Sequence, residues 1–136
     1  MDLLAEQLER RVALLSQVLR ANAPRGRSVG ALLALRRLAD DGPLRVTDLA
    51  AGELVAQPTM TVLVNRLADE GLVRKSPHAD DARAVLVELT DVGRAELAAV
   101  REARAAVLEA RLARLDPSAR AALTAALPAL DQLLAT

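Results

Sequence analysis

Apolar residues recur at helical spacing in the first third of the chain. Between residues 2 and 21 they return every three or four positions, at Leu4, Leu8, Val12, Leu15 and Leu19. A second stretch of this kind begins after Ser28, a good helix N-cap, and ends sharply at Gly42 and Pro43. The pattern predicts two helices, and the first carries an apolar stripe that needs a partner.

The last third of the chain has the same periodicity. Thr90 is a predicted N-cap for a long helix that runs to about Leu115, and Asp116 with Pro117 marks the start of another helix. Pro128 lies inside this last helix, where we expect a kink or an irregular turn. Helical arms thus flank a middle module, and pairing with a second copy of the chain is the simplest way to cover their apolar stripes.

The middle module contains two helices in close succession. Thr47 is a predicted cap for a short helix over residues 48–53, with Leu49 and Leu54 facing inward, and the next helix begins after Ala56. A short helix, a tight turn and a second helix form the order of a helix-turn-helix.

The second helix of this pair, residues 57–71, has two unlike faces. Its apolar stripe consists of Met60, Leu63, Val64 and Leu67. The opposite side carries short side chains with one cation on its flank: Gln57, Pro58, Thr59, Thr61, Val62, Asn65 and Arg66. Short residues near a helix N-terminus suit close approach to a large surface, and the major groove of DNA is such a surface.

The period changes after Gly71, which is a natural left-handed helix terminator. Residues 72–76 and 85–89 alternate between apolar and polar positions and predict two strands joined by the polar loop 77–83. Residues 44–46 are long enough for only one extended bridge. A hairpin directly behind a helix-turn-helix is a wing, so the pattern predicts a mainly α fold with a small β-hairpin wing.

Composition narrows the function classes. The chain is 52% apolar without a single aromatic residue, and its 18 basic residues are balanced by 18 acidic ones. DNA must therefore be bound by the local placement of cations and not by bulk charge. There is no cysteine for disulfides or thiolate chemistry. We find no signal peptide and no membrane-spanning run, and expect a cytoplasmic protein that does not contact membranes.

Nothing in the sequence indicates an enzyme or a metal site. No serine, histidine and acid occur in a recognisable order, and there is no glycine-rich phosphate loop. The only histidine, His78, lies in the predicted loop without a metal-binding partner at a useful spacing. Arg36 and Arg37 are interpreted as part of a solvated helix face. We predict no catalytic residue, no metal and no cofactor.

Two motifs resemble those of a known family. The first is Gln-Pro-Thr-Met-Thr at residues 57–61, followed by the apolar pattern of 63–67 and by Gly-Leu-Val at 71–73. The second is Asp-Ala-Arg at residues 81–83, followed by residues 87–90 and Gly93. At this spacing between helical arms, the pair resembles the MarR family of winged-helix transcriptional regulators over nearly the whole chain.

The resemblance implies a homodimer joined through residues 1–27 and 90–136. Residues 28–89 would be the winged helix-turn-helix that binds double-stranded DNA, with one recognition helix per subunit in the major groove. It also implies that a small-molecule inducer bound between the dimerisation helices and this module releases the DNA.

The same resemblance assigns roles to single residues. The candidates that face the major groove are Gln57, Pro58, Thr59 and Thr61. Arg83 would enter the adjacent minor groove, where a narrow A·T-rich segment attracts arginine, and Asp81 would orient it through an ion pair. Arg74 and Lys75, on the strand that leads into the wing, would contact phosphates.

Two positions depart from the family pattern. Val62 stands where many relatives have an arginine next to Thr61, so a thymine methyl is a candidate partner instead. Ala82 stands where a second wing arginine is common. Between residues 57 and 87 the charges balance, with Arg66, Arg74, Lys75 and Arg83 against Asp69, Glu70, Asp80 and Asp81. Further phosphate contacts are therefore expected from Arg25, Arg27 or Arg45.

The leading hypothesis is a sequence-specific transcriptional regulator. It would be a repressor that acts as a homodimer on a pseudo-palindromic site and is released by a small molecule. The alternative is a winged-helix module that binds a protein and not DNA, which the near-neutral charge keeps open. A third hypothesis, a small helical enzyme, has no motif to support it.

Overall fold

Helices make up most of the described chain, which also contains one small antiparallel sheet. The computed structural model describes residues 1–22, 28–77, 80 and 83–135. The elements within these residues are α1 (Leu3–Ala21), α2 (Val29–Asp41), β1 (Leu44–Arg45), α3 (Val46–Gly52), α4 (Gln57–Asp69), β2 (Val73–Pro77), β3 (Val85–Leu89), α5 (Asp91–Leu112) and α6 (Pro117–Leu134). The mainly α fold with a β wing is confirmed.

Side-chain caps define most helix starts. Ser28, Thr90 and Asp116 each accept a hydrogen bond from a backbone N–H in the first turn of α2, α5 and α6, as predicted. The predicted cap at Thr47 is wrong, because α3 begins at Val46, two residues before the predicted start, and Arg45 is its N-cap without a side-chain bond. Arg45 is still paired in the sheet, so the chain passes from strand to helix without a free cap position.

The sheet has three strands in the order β1-β3-β2, and both pairs are antiparallel. Val73 pairs with Leu89 and Pro77 pairs with Val85, so the hairpin lies one residue later on its first strand than the sequence pattern predicts. Leu44 pairs with Val87, which makes the expected extended bridge the third strand.

The core lies between α2, α3, α4, the sheet and the start of α5. From α4 it takes Met60, Val64 and Leu67, which are buried, while Leu63 packs against them half-buried. The prediction that Leu54 faces inward is wrong: its side chain is 93% exposed. The chain leaves α3 through a left-handed turn at Leu54, which swings this side chain away from the core.

The two outer helices contribute little to this core. Neither α1 nor α6 has a buried residue among those the structure describes. In α5 the buried residues are Gly93, Glu96, Leu97 and Val100, all in its first half. The last helix stays α-helical through Pro128, where a kink or an irregular turn was expected, and α5 ends at Leu112, earlier than predicted. Over the described ranges, no helix combines the length and apolarity needed to cross a bilayer.

Candidate nucleic-acid interface

The turn that leads into α4 is held against α2 by Arg37. Its Nε donates to Glu53 Oε1 at 3.0 Å, and its Nη2 donates to the carbonyl of Gly52 at 3.1 Å. The hydrogen bond to Glu53 is the main reason why the pKa of Arg37 is raised above its ordinary value. Arg37 is thus a structural contact as well as part of a helix surface, which the sequence pattern did not indicate.

The side of α4 opposite the core is open to solvent, as the sequence predicts. Its exposed residues are Gln57, Pro58, Thr59, Thr61, Val62, Asn65 and Arg66. Ala56 occupies the N-cap without a side-chain bond, and a proline lies in the first turn. The first turn therefore leaves its N–H groups uncapped by a side chain, next to the short residues that would meet a partner.

Hydrogen bonds orient two of these side chains. Thr61 Oγ1 donates to the carbonyl of Gln57 at 3.0 Å, which directs the hydroxyl hydrogen back into the helix. Lys75 Nζ, on β2, donates to Asn65 Oδ1 and so ties the wing to α4. The amide NH₂ of Asn65 remains directed away from this bond and can donate to a partner.

A cleft of about 380 Å³ lies between α4 and the wing. Thr61 and Asn65 form its helix side, and three cations from separate parts of the sheet region line it: Arg45, Lys75 and Arg83. The structure thus brings together polar positions of the helix and the wing arginine, which are distant in the sequence. Asp81, the predicted ion-pair partner of Arg83, lies outside the described residues, as do His78, Ala82, Arg25 and Arg27.

Arg74 is engaged within the sheet. Its Nη2 donates to Glu88 Oε1 at 2.6 Å and its Nε donates to the same oxygen at 3.1 Å, across the β2–β3 pair. The side chain is still solvent-exposed on its outer side, but the ion pair offsets its charge. Its predicted phosphate contact stays a prediction, and Arg74 is not among the cations that line the cleft, which are Arg45, Lys75 and Arg83.

The other edge of α4 borders a groove of about 420 Å³ against α2. Leu33 and Val55 contribute apolar walls, and Val62 and Arg66 stand at its rim on α4. Thr61 and Val62 are adjacent on the exposed outer face of α4, which we call its crest and which comprises Gln57, Pro58, Thr59, Thr61, Val62 and Asn65. Thr61 borders the wing cleft, and Val62 borders the apolar groove.

The comparison with known proteins agrees with this geometry. The sequence model of the MarR family matches residues 28–85. The HTH-type transcriptional regulator MT0903.1 of Mycobacterium tuberculosis is 40% identical over 118 residues, which are 86% of this chain and 82% of that protein. The chain belongs to the MarR family. It is therefore a transcriptional regulator and not an enzyme, as the sequence predicts.

Solved MarR-like structures share the fold. RV1404 from Mycobacterium tuberculosis superposes with a TM-score of 0.86 at 24% identity, over 97% of this chain and 92% of that one. BpsR from Bordetella bronchiseptica, whose DNA binding is regulated by 6-hydroxynicotinic acid, gives 0.70 at 23% identity, over 93% and 91% of the two chains. At these identities the likeness supports the winged-helix fold of this MarR-family chain.

Proposed function

We propose that this MarR-family regulator is a homodimeric repressor that reads a pseudo-palindromic site in duplex DNA through residues 28–89. The observation that carries the proposal is the cleft in which Thr61 and Asn65 lie beside Arg45, Lys75 and Arg83. Protein–DNA interfaces divide their work in this way, because cations hold phosphates while short polar side chains reach base edges.

The wing completes the proposed interface. Arg83 is exposed where the chain enters β3, and it is proposed as the minor-groove residue. Asp81 is proposed as its ion-pair partner, which would fix the direction of the guanidinium. Occupancy of an overlapping promoter is sufficient for repression, whereas activation needs a further contact with polymerase. We therefore propose repression.

Dimerisation is proposed through residues 1–27 and 90–136. Leucines and valines of α1 and α6 are exposed at helical spacing, among them Leu4, Val12, Leu15, Leu123, Leu127 and Leu130. A groove of about 540 Å³ lined by Leu4, Leu8 and Leu133 lies between the two helices. A second copy that covered these apolar surfaces would remove them from water, and two-fold symmetry would set the recognition helices about 34 Å apart.

A small molecule that releases the DNA is proposed to bind at the junction between α2 of the DNA-binding module and α5. Burial lowers the pKa of Arg36 on α2, and so do Arg104 and Arg101 on α5, while Asp40 acts in the opposite direction. An anion bound beside Arg36 would offset its repulsion by Arg104 and Arg101 and is proposed to act on the contact between α2 and α5. That BpsR responds to an organic acid supports an anionic inducer of this kind.

The alternative is a module that binds a protein and not DNA, and the Arg74–Glu88 ion pair that offsets the wing charge favours it. The test is fluorescence anisotropy on duplexes from the DNA that flanks the gene, with random duplex as competitor and salt raised from about 50 to about 200 mM. About six neutralised phosphates would weaken binding roughly a thousandfold over this range. An adaptor would show neither that slope nor a preference for one duplex.

Arg83→Ala sharpens the same test. We expect its specific affinity to fall about tenfold, since one minor-groove arginine is lost from each subunit, with dimer mass and helicity unchanged. Arg114→Ala, in the turn between α5 and α6, is the matched control and should bind as the parent does. Unchanged binding by the Arg83 variant would remove this residue from the site.

A further inference from the structure

The crest of α4 carries no charged residue that could read guanine. Residues 57–65 contain neither acid nor base, and the first cation, Arg66, stands at the rim of the groove against α2. The first turns of a recognition helix are the part that reaches base edges. The commonest specific contact in the major groove is an arginine or lysine bound to O6 and N7 of guanine. That contact is therefore missing from this part of α4.

The polar groups on the crest are partly committed to the protein. The hydroxyl hydrogen of Thr61 is used by the carbonyl of Gln57, and Asn65 Oδ1 accepts from Lys75. The side chain of Gln57 makes no hydrogen bond within the part of the chain that the structure describes. A glutamine can bind adenine through N6 and N7. Gln57 is thus the polar side chain of this face that is available to bind adenine through both atoms.

Val62 is the apolar group at the same place. It is 61% exposed beside Thr61 on the outer face of the helix, where it contributes nothing to the core. Thymine is the only DNA base with a methyl group in the major groove, and side-chain methyl groups are its usual contacts. Burying one methyl group against another removes apolar surface from water on both sides.

We infer that α4 reads A·T pairs through thymine methyl groups, with Val62 as the residue that contacts the methyl. This inference rests on the proposed DNA-binding function and specifies which bases that site recognises. The apolar groove beside Val62 offers a different role, as part of a pocket for another molecule, and the experiment separates the two.

The experiment replaces thymines of the bound duplex by deoxyuridine, which lacks only the C5 methyl group, at symmetrical positions of the two half-sites. We expect one such pair of positions to weaken binding of the parent protein by about 15-fold, or about fourfold for each methyl. The unsubstituted duplex differs from each deoxyuridine duplex only by the C5 methyl groups, and it is therefore the reference for every substitution.

Two variants assign the effect to one side chain. Val62→Ala should bind the thymine duplex about as weakly as the parent binds the deoxyuridine duplex, and should no longer distinguish the two. Val92→Ala, at a valine that is 60% exposed in the first turn of α5, is the matched control: it lies in the proposed dimerisation region, and the ratio of its affinities for the thymine and deoxyuridine duplexes should keep the full penalty whatever its effect on the affinity itself. Both side chains are exposed, so neither truncation opens a cavity, and circular dichroism checks that the helices remain.

Three outcomes of this experiment would each contradict a different statement. A parent protein that prefers its duplex over random DNA but tolerates deoxyuridine at every position would overturn the methyl-reading inference and leave the DNA-binding proposal intact. A penalty that persists in Val62→Ala would overturn the assignment to this residue. Absence of preference for any duplex would instead contradict the proposed function itself.

Discussion

Leu54 adopts a backbone conformation that usually belongs to glycine. Its φ is +55°, its N–H donates to the carbonyl of Ala51 at 3.2 Å, and the N–H of Val55 donates to the carbonyl of Ala50 at 3.0 Å. This pair of bonds is a Schellman motif, which ends a helix with a left-handed residue. The end of α4 has the same motif with Gly71, at φ +77°, in the equivalent position.

We expect Leu54→Gly to stabilise the protein by about 0.5–1 kcal/mol. A left-handed leucine costs about 1–2 kcal/mol, and the greater freedom of glycine in the unfolded chain offsets part of that gain. No packing is lost, because the side chain is 93% exposed. Urea denaturation measures the change. The reverse substitution, Gly71→Leu, is the control and should destabilise, and a less stable Leu54→Gly variant would contradict the strain argument.

The sequence predicted the second of these turns and not the first. Glycine is the residue that most often ends a helix in a left-handed conformation, so the turn at Gly71 could be predicted from the residue type alone. Leu54 directly follows the predicted helix over residues 48–53, and it was expected to face inward because it is apolar. Val62 could be assigned to the outer face for the opposite reason, since it breaks the apolar stripe of α4. Single residues were thus predictable where their chemistry and their backbone conformation agree.

At the scale of elements, the helix-turn-helix depends on a contact between α2 and the turn before α4. Arg37 binds Glu53, whose side chain is only 14% exposed, and the carbonyl of Gly52. The guanidinium reaches both groups because its donors form a planar fork. The position of α4 relative to α2 therefore depends on a side chain that lies outside the recognition helix.

We expect Arg37→Met to destabilise the protein by about 1–3 kcal/mol, because Glu53 would keep a largely buried carboxylate without its partner. Arg37→Lys should recover part of this loss, since it keeps the charge but not the fork. Denaturation by urea gives the stability, and anisotropy gives the DNA affinity, which should fall with it.

Arg36→Met is the matched control for that substitution. The pKa of Arg36 is lowered, first by burial and then by Arg104 and Arg101, so its charged form is disfavoured in the folded protein. Removing it should leave stability unchanged or slightly higher. Equal losses for the two variants would mean that the contact made by Arg37 is not what stabilises the turn.

Most elements were predictable because their signals are local. Caps at Ser28, Thr90 and Asp116 and the change of period after Gly71 placed helices and strands to within a residue or a few. The entry to α5 shows the limit: a Cβ on Gly93 would lie 2.0 Å from the carbonyl oxygen of Leu72. This close approach joins the end of α4 to the start of α5, and no local pattern encodes it. The contacts of Arg37 with Glu53 and Gly52 were not predicted for the same reason, because they join residues that are distant in the sequence.

At the scale of the whole molecule, α1 and α6 are the helices whose apolar side chains remain exposed to solvent. The described part of α1 and of α6 contains no buried residue, although both carry leucines at regular spacing. Periodicity in the sequence predicts that such helices need a partner. It does not say which surface covers which, since the relative placement of two subunits depends on contacts between chains.

We expect a chain with Leu127→Glu and Leu130→Glu to be a monomer and to lose specific DNA binding. Four buried carboxylates per dimer would have to be desolvated at the proposed interface, which outweighs the apolar contacts that hold it. Light scattering after gel filtration should give the mass of one 14.4 kDa chain instead of two. Circular dichroism should remain helical, because neither leucine is part of the core.

The DNA affinity of the Leu127→Glu, Leu130→Glu variant should fall by more than the loss of one subunit's contacts with DNA explains. A dimer binds its second half-site at a high effective concentration, and a monomer must bind each half-site separately. Leu54→Glu makes the same chemical change at an exposed leucine of the DNA-binding module and should remain a dimer. If the double variant on α6 also stayed a dimer, the subunits would associate through another surface, and the spacing of the two recognition helices would have to be derived from that surface instead.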